Sequence, residues 1–511
     1  MKRINLLTCS GLTLLPLSLS AGNAKAPKET KPNIVLIYAD DIGYGDLSCY
    51  GYSKIPTPNV DKLASEGIRF TNAHCVAATS TPSRYSLLTG EYAWRLAGTG
   101  IAAGDAAMII KPERFTMPRM MQAAGYATAA VGKWHLGLGA ETGKQNWNGL
   151  ISPGLKDLGF DYSYIMAATG DRTPCVFIEN GRVVNLDPND PIQVSYIQNF
   201  PGEPTGKDNP ELLRLLPSHT HNQSIVNGVS RIGYMKGGKS ALWVDENIAD
   251  SITTKALNFI DKNKNHPFFL YFGTQDVHVP RLPHPRFLGK SGHGTRGDAV
   301  LEFDWIVGEV TKKLHDLGLD ENTIVILSSD NGPVIDDGYQ DQAELLLGEH
   351  KPWGPFRGGK YSGFEAGTRI PQLVRWTGKV APAVNSTLVS QIDWYASFAN
   401  LIGYKIKNTE APDSRNDLKT LLGKSLKNRE CVVEQNLNNV LGIVVDDWKY
   451  IEPSKFAKIN KDTHTELAND KNPQLYNLKS DPGETTNLAA QYPDKVLELK
   501  TKLEKVRKSE K

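Results

Sequence analysis

Apolar runs of six or seven residues alternate along the chain with longer amphipathic segments. The apolar runs are rich in β-branched and aromatic residues and end in polar turns, which is typical of buried strands in a parallel sheet. The clearest are "NIVLIYA" from Asn33, "ATAAVG" from Ala127, "PFFLYFG" from Pro267, "TIVILSS" from Thr323 and "PQLVRW" from Pro371. The amphipathic segments predict helices at "NVDKLASEG", "MPRMMQAAG", "NIADSITTKALNFIDKN" and "VLEFDWIVGEVTKKLHDLG". This alternation predicts an α/β fold with a large mixed, mostly parallel sheet sandwiched by helices.

Two regions depart from this alternation. Residues 138–235 are rich in Gly, Pro, Asn and Asp and weakly periodic, so they predict long loops and insertions above the sheet. After about residue 410 the pattern changes to short hairpin strands followed by a terminal helix with Leu497, Leu499, Leu503 and Val506 among lysines and glutamates. We therefore predict a catalytic domain over residues 27–405 and a smaller α+β subdomain over residues 406–511.

The N-terminus has the pattern of a secretory signal peptide. Lys2 and Arg3 precede the apolar "INLLTCSGLTLLPLSLS" and the small-residue segment that ends near Ala26. Cys9 comes too early in the apolar run to favour a lipoprotein anchor. No other run approaches the roughly 18 residues of a membrane span, so we expect an exported protein without a spanning segment.

Composition excludes some partners and bounds the redox chemistry. The 58 Lys and Arg residues nearly balance the 56 Asp and Glu residues in a chain of 511, so the net charge of +2 gives no field for binding nucleic acid or an anionic membrane. The remaining cysteines, Cys49, Cys75, Cys175 and Cys431, lack the close spacing of a zinc site or redox motif. The sequence leaves open whether these cysteines form one or two disulfides.

Charged and polar side chains directly follow four of the predicted strands. Strand by strand, they are Asp40 and Asp41, Lys133 and His135, His278, and Asp330 and Asn331. Ligands of open α/β sheets bind at the carboxyl ends of the strands, so we expect these side chains to meet there. The three acids and the amide form an all-oxygen set suited to Ca²⁺ or Mg²⁺. Alternatively, "DD" and "DNG" are only turn and cap residues.

The segment "STPSRYSLLTG" predicts a helix that begins at Ser80 or Thr81, because Pro82 is tolerated only in a first turn. Ser80 then lies where main-chain N–H groups and the positive end of the helix dipole favour an anion. Arg84, four residues later, lies on the same face. The alternative is that Ser80 merely caps the helix.

The same segment resembles the signature of the type I sulfatases, in which Cys or Ser precedes x-Pro-Ser-Arg and, later, Thr-Gly. The similarity extends in order through "IVLIYADDIGYGD", "GYATAAVGKWHLG", "TQDVHVP", "ILSSDNG", "RGGKYSGFEAGTRIP" and "LYNLKSDPGETTNLA". The chain is thus identified as similar to a formylglycine-dependent sulfatase of the alkaline phosphatase superfamily. That resemblance implies hydrolysis of sulfate monoesters.

The resemblance also implies roles for individual residues. Ser80 occupies the position that is oxidised to formylglycine, and Arg84 matches the arginine that steadies its hydrate. Asp40, Asp41, Asp330 and Asn331 match ligands of one Ca²⁺ ion, which the modified residue 80 also contacts. Lys133, His135, His278 and Lys360 match groups around the sulfate and the leaving oxygen, with His278 as the proton donor and His135 assisting release. The serine form implies a radical-type maturation enzyme and a bacterial, periplasmic protein.

The insertion at residues 138–235 offers side chains that are candidates to bind the substrate. Asp171, Arg172, His219 and His221 are candidates to bind sugar hydroxyl groups, although ordinary loop solvation explains them as well. The insertion resembles those of bacterial sulfatases that act on 6-sulfated galactose or N-acetylgalactosamine. Two other hypotheses stay open. One is a phosphomonoesterase or phosphodiesterase that uses unmodified Ser80, and the other is an inactive sugar-binding protein that kept the fold.

Overall fold

The computed structural model describes residues 31–407 and 409–509 of the chain. The predicted signal peptide, with Cys9, lies outside these residues. Within them, no helix combines the length and the apolar character that crossing a bilayer requires. The four described cysteines are free thiols, so they form none of the disulfides that the sequence left open.

The strands of the described residues are grouped into one large sheet, one four-stranded sheet and three small pairs. In chain order they are β1 (Asn33–Ala39), β2 (Ile68–Phe70), β3 (Ala73–His74), β4 (Ala127–Lys133), β5 (Tyr162–Met166), β6 (Phe177–Glu179), β7 (Arg182–Val183), β8 (Gln193–Ser195), β9 (Ile225–Val226), β10 (Val229–Ser230), β11 (Tyr234–Lys236), β12 (Phe268–Gly273), β13 (Thr323–Ser329), β14 (Gln372–Arg375), β15 (Ala383–Asn385), β16 (Val389–Ser390), β17 (Val432–Gln435), β18 (Leu441–Val445), β19 (Trp448–Ile451) and β20 (Gln474–Asn477).

The α-helices range from single turns to more than six turns. They are α1 (Pro58–Ser65), α2 (Ser80–Thr89), α3 (Met117–Ala123), α4 (Ile248–Lys262), α5 (Gly294–Asp316), α6 (Ala343–Leu346), α7 (Glu365–Thr368), α8 (Trp394–Ile402), α9 (Leu418–Leu421) and α10 (Pro493–Lys508). In α4 the buried Ile252, Ala256 and Ile260 recur every fourth residue, which gives the helix one apolar face for the sheet. By contrast, every residue of α2 is buried, so this helix lies inside the protein.

The large sheet has ten strands in the order β15-β2-β14-β13-β1-β12-β4-β5-β6-β7. Its five central strands, from β13 to β5, run parallel and therefore end at one edge. The residues of β1, β12 and β13 are all buried, as expected for strands covered on both faces. Antiparallel strands flank this parallel centre on both sides, so the predicted mixed, mostly parallel sheet is confirmed.

The C-terminal sheet is an antiparallel meander of β17, β18, β19 and β20. Helix α10 packs against it through Leu499 and Leu503, which lie in one cluster with Val433, Ile443 and Leu475. The predicted hairpins and terminal helix are therefore present.

Three features differ from the sequence-based expectation. Residues 138–235 were expected to form long loops and insertions above the sheet, but they contribute β5, β6 and β7 to one edge of the large sheet itself. These strands are two to five residues long, too short for alternation to distinguish them from loops. The strand from Pro371, β14, is antiparallel to β13, and α5 begins at Gly294 rather than near Val300.

Candidate active site

The carboxyl ends of β1 and β13 bring four oxygen-bearing side chains together. Their register pairs Ala39 with Ser329, so the residues that follow each strand become neighbours. The main-chain N–H of Asp41 donates to Asp330 Oδ1 at 3.3 Å, and Asn331 Nδ2 donates to Asp41 Oδ1 at 2.7 Å. Asp41 has a left-handed backbone, with φ of 57°, which ends the strand and turns the second carboxylate into the cluster. Asp40, Asp41, Asp330 and Asn331 are thus brought together as predicted.

Ser80 is the first residue of α2 and faces this cluster. Its Oγ lies 3.5 Å from Asp40 Oδ1 and 3.4 Å from Asn331 Oδ1. Thr79, not Ser80, occupies the N-cap position. The alternative that Ser80 serves as the helix cap is therefore wrong, and its hydroxyl is directed at a carboxylate and an amide oxygen that come from different halves of the chain.

Two cations balance the buried acids. Lys133 Nζ donates to Asp40 Oδ1 at 2.6 Å and to Ser80 Oγ at 2.9 Å. Arg84 donates through Nε and Nη2 to Asp330 Oδ2 at 3.1 and 2.8 Å. Because Arg84 lies one helical turn after Ser80, α2 supplies both the hydroxyl and the arginine, as predicted.

The acids of the cluster are perturbed in opposite directions. Burial raises the pKa of Asp40 well above its ordinary value, although Lys133 opposes this. Burial would also raise the pKa of Asp41 and Asp330, but Lys360 beside Asp41 and Arg84 beside Asp330 hold these two pKa values below normal. Desolvated carboxylates with unequal proton affinity are typical of a functional site.

The donor set fits a hard cation. Asp40 Oδ2 is buried without a hydrogen-bond partner, so one carboxylate oxygen has no stabilising contact from the described residues. One ligand atom from each of Asp40, Asp41 and His278 lies within 4.8 Å of the others. Carboxylate and amide oxygens are the ligands that Ca²⁺ and Mg²⁺ prefer, so these residues are able to hold such an ion.

The hydrogen bonds of the two site histidines assign their tautomers. His135 Nε2–H donates to the carbonyl of Ala102 at 3.0 Å, which leaves Nδ1 without a partner. His278 Nδ1–H donates to the carbonyl of Val279 at 2.7 Å, and its Nε2 lies 3.9 Å from Asp41 Oδ2. Burial and the nearby lysines lower both pKa values well below the ordinary value. Each neutral ring therefore directs an unprotonated nitrogen at the site.

Asp337 and Tyr361 belong to the site but carried no recognised sequence signal. Lys360 Nζ donates to Asp41 Oδ2 and to Asp337 Oδ2, each at 2.8 Å, and Tyr361 OH donates to Asp337 Oδ1 at 2.8 Å. Burial opposes ionisation of Lys360, but Asp337 and Asp41 raise its pKa well above normal. Only the proximity of "DDG" to the strand-end "DNG" pointed to Asp337.

The cluster opens into a small pocket that Ser80, His135, His278 and Lys360 line. Three of the four predicted insertion residues, Asp171, Arg172 and His221, line this pocket. Asp171 Oδ2 accepts from His221 Nε2 at 2.8 Å and from Arg172 Nη1 at 2.9 Å. His219 is not among the lining residues: its Nε2 lies 4.0 Å from Asp336 Oδ1, and its ring centroid lies 5.8 Å from that of His221. A role for His219 in binding the sugar therefore stays a prediction.

These groups suit the hydrolysis of an anionic ester. The Ser80 hydroxyl lies at the start of a helix, beside acids that suit a cation, and accepts a hydrogen bond from Lys133, while Arg84 bonds one of those acids. Two neutral imidazoles and a charged Lys360 line the opening. The fold and this constellation define an alkaline phosphatase-like hydrolase, with its site at the carboxyl ends of the parallel strands.

Comparison with known proteins gives the family. The profile of the sulfatase family matches residues 32–404. An N-acetylgalactosamine-6-O-sulfatase of Bacteroides thetaiotaomicron is 56% identical over 503 residues, covering 97% of this chain and 98% of its own length. Human arylsulfatase A is 31% identical over 93% of this chain and 86% of its own length. A solved structure from work on glycosaminoglycan metabolism in B. thetaiotaomicron, 57% identical, superposes with a TM-score of 0.93 over 94% of this chain and all of its own. The chain belongs to the sulfatase family and is a sulfuric ester hydrolase.

Proposed function

We propose that this protein is an exported carbohydrate sulfatase that removes the 6-O-sulfate of N-acetylgalactosamine or galactose at the end of a glycan fragment. The contact of Ser80 with Asp40, Asn331 and Lys133 carries the catalytic part of the proposal. The 56% identity to an N-acetylgalactosamine-6-O-sulfatase supports the sugar. The predicted signal peptide and the predicted boundary between a catalytic domain and a C-terminal subdomain near residue 405 belong to the same proposal.

The reaction uses Ser80 after its oxidation to formylglycine. The hydrated aldehyde supplies one hydroxyl for attack on sulfur and a second whose deprotonation releases the sulfate. Asp40, Asp41, Asp330 and Asn331, together with residue 80, would hold one Ca²⁺ ion. When bound, the ion would supply positive charge that favours ionisation of the attacking hydroxyl and attracts the sulfate oxygens. A radical-type maturation enzyme is the partner that installs the aldehyde.

The remaining residues of the site stabilise charge and move protons. Lys133, Arg84 and Lys360 oppose the negative charge that spreads over the sulfate oxygens in the transition state. His135 assists release of the sulfate from residue 80. His278 donates a proton to the departing sugar oxygen, and its unprotonated Nε2 must first acquire that proton. The negative charge of a bound sulfate ester favours this protonation.

The sugar is positioned by Asp171, Arg172 and His221. The hydrogen bonds among them fix a carboxylate, a guanidinium and an imidazole on one wall of the pocket. Such a wall offers both donors and acceptors to the hydroxyl groups of a sugar ring. A bare sulfate or an aryl sulfate needs none of these contacts, which makes the two parts of the site separable by experiment.

The test uses protein co-produced with a radical-type maturation enzyme. Sulfate release is measured from 6-sulfated N-acetylgalactosamine, galactose and N-acetylglucosamine, and the mass of the Ser80 peptide is measured in the same sample. We expect release from the first two sugars and a peptide lighter by the mass of a hydrogen molecule. Ser80→Ala is the control and should abolish release.

Three outcomes contradict parts of the proposal. Cleavage of only the N-acetylglucosamine substrate, or of only N-sulfated or 2-sulfated sugars, refutes the assigned sugar. A Ser80 peptide of unchanged mass in active native protein refutes the aldehyde mechanism and favours the phosphoesterase hypothesis. Unchanged sulfate release by Ser80→Ala refutes the nucleophile.

A further inference from the structure

A second cluster of buried charges lies outside the lining of the sulfate pocket, where the C-terminal sheet meets α7 and β3. Its centre is Lys449 of β19, whose side chain is fully buried. The Nζ atom lies 2.9 Å from Glu365 Oε1, 3.0 Å from Glu434 Oε2 and 3.7 Å from Glu484 Oε1. His74 Nδ1 contacts the other oxygen of Glu434 at 2.6 Å.

This cluster is not a metal site as the side chains are arranged. One ligand atom from each of His74, Glu365 and Glu434 lies within 4.8 Å of the others, a spacing that would suit an ion. However, the ammonium group of Lys449 already lies within 3.0 Å of both of these glutamates. Lys449, together with Arg369, which donates to Glu365 Oε2 at 2.6 Å, therefore supplies the positive charge that the acids require.

The acids bound by Lys449 belong to two elements that frame the active site. Glu365 begins α7, five residues after Lys360. Glu434 lies in β17, which joins the chain segment that leads into Ser80. The ammonium group of Lys449 thus links α7, which follows Lys360 in the chain, to β17, which contacts the segment just before Ser80.

Main-chain hydrogen bonds extend from the end of β17 to the segments that carry Ser80 and Lys360. Gln435 N donates to Val76 O at 3.0 Å, and Ala78 N donates to Gln435 O at 2.9 Å. Tyr361 N in turn donates to Ala78 O at 2.7 Å, and Leu437 N donates to Tyr361 O at 3.0 Å. The strand that contains Glu434 therefore contacts both the approach to Ser80 and the residue next to Lys360.

We propose that Lys449 is a positioning residue for catalysis, which clamps the segment before Ser80 and the loop that carries Lys360 against β17. The inference rests on the function proposed above and deepens it, because it makes the C-terminal sheet a part of the catalytic framework. Without the ammonium, Glu365 and Glu434 face each other as buried acids with less compensation, and their elements separate. Catalytic groups tolerate little misplacement, since a shift of about 1 Å is able to cost on the order of 100-fold in rate.

The test compares Lys449→Met with the parent enzyme and with Arg375→Met, each matured to the aldehyde. Arg375 is also buried and ion-paired, with Glu66 and Asp320 at 3.0 Å, but it lies at the opposite end of the sheet from Ser80. All rates are measured well below the unfolding temperature of every variant. We expect Lys449→Met to lower kcat by about tenfold or more with a KM change below about threefold, and Arg375→Met to leave kcat close to the parent value.

Two further measurements separate positioning from stability. Hydrogen exchange at the amides of Ala78, Tyr361 and Leu437 should accelerate in Lys449→Met but not in Arg375→Met. Lys449→Arg, which keeps the charge, should recover part of kcat. Where Lys449→Met does not fold, Glu434→Gln carries the same comparison, because it removes the carboxylate that Lys449 and His74 share.

The inference is overturned by a folded Lys449→Met enzyme with parental kcat, by unchanged exchange at these amides, or by an equal loss of kcat in Arg375→Met. Failure of the proposed function gives a different result. In that case the parent, with its aldehyde formed, releases no sulfate from any substrate, while the exchange comparison still decides the role of Lys449.

Discussion

The Nζ atom of Lys360 lies 2.8 Å from Asp337 Oδ2, so that the ammonium group of Lys360 lies between two carboxylates. The second carboxylate is Asp41, a member of the cation cluster. Two of the three N–H bonds of Lys360 are thereby used, which leaves one for a substrate oxygen. Asp337 therefore orients Lys360 and keeps it protonated. In the sequence, Asp337 belongs to no recognised catalytic motif.

Replacing Asp337 by Asn should weaken catalysis through Lys360. The amide keeps the size of the side chain but removes the charge that raises the pKa of Lys360. We expect kcat to fall by about tenfold, since charge-assisted hydrogen bonds contribute about 1.5–3 kcal/mol. Asp336→Asn is the matched control, because that neighbour bonds Ser218 outside the pocket. Equal losses in the two variants would contradict the role of Asp337.

The arrangement of the cation cluster follows from residues that are visible in the sequence. Asp40, Asp41, Asp330 and Asn331 directly follow two long apolar strands, and parallel strands must end at one edge. The position of Pro82 located the start of α2 and hence the direction of Ser80. Strand patterning and helix-start chemistry therefore indicated where these side chains lie, whereas their assignment as site residues rather than turn and cap residues depended on the resemblance to the sulfatases.

Other parts depend on packing that no local pattern encodes. The short strands β6 and β7 are held by their neighbours in the sheet rather than by their own periodicity. Asp337 lies in an irregular loop, and Lys449 acts through acids that are 15 to 84 positions away along the chain. Such contacts arise only when distant segments are brought together, so sequence patterns could not reveal them.

Removing the divalent ion should lower both activity and thermal stability. Asp40, Asp41 and Asp330 are buried acids, and an ion bound only by the folded state stabilises it by about 2.7 kcal/mol at 100 times its dissociation constant. We expect a chelator to lower the unfolding temperature of matured enzyme and Ca²⁺ to restore it. Asp40→Asn should reduce the response to Ca²⁺. An unfolding temperature that is indifferent to chelator and Ca²⁺ would refute the ion site.

Replacing His278 by Asn should affect substrates according to their leaving group. A departing sugar alkoxide needs a proton, and loss of a general acid typically costs about 10²–10⁴-fold in rate. An aryl sulfate with an acidic phenol leaves without that help. We expect kcat for the sugar sulfate to fall far more than kcat for 4-nitrophenyl sulfate. A uniform loss for both substrates would assign His278 to sulfate binding instead of proton transfer.

Replacing Arg172 by Ala should weaken binding of sugar substrates while leaving aryl sulfate turnover near the parent value. Arg172 lines the pocket and bonds Asp171, and the proposed function assigns it a contact with the sugar beyond the sulfate. We expect a tenfold or greater fall in kcat/KM for the sugar sulfate, about 1.4 kcal/mol. His219→Ala is the control, because His219 lies outside the pocket lining. A loss in His219→Ala equal to that in Arg172→Ala would contradict this division.

The stability of the protein should fall with rising pH because of Glu484. Burial raises the pKa of Glu484 from 4.5 to about 8, while Lys449 opposes the rise and Glu365 and Glu434 add to it. Between these two values the folded state binds a proton that the unfolded state releases, so protonation favours folding. The stabilisation is therefore complete below about pH 4.5 and is lost as the pH rises towards 8.

Thermal unfolding from pH 5 to 9 measures this dependence. Burial also raises the pKa of Asp276 to about 7 and that of Glu302 to about 9, which adds to this trend, whereas the lowered pKa values of His135 and His278 oppose it below about pH 6.5. Glu484→Gln isolates the contribution of Glu484, because glutamine does not titrate, and it should flatten the dependence. Glu466→Gln is the control, since Arg357 lowers the pKa of that partly exposed acid and leaves it ionised throughout the range. A slope in Glu484→Gln equal to that of the parent would mean that Glu484 is ionised in the folded protein.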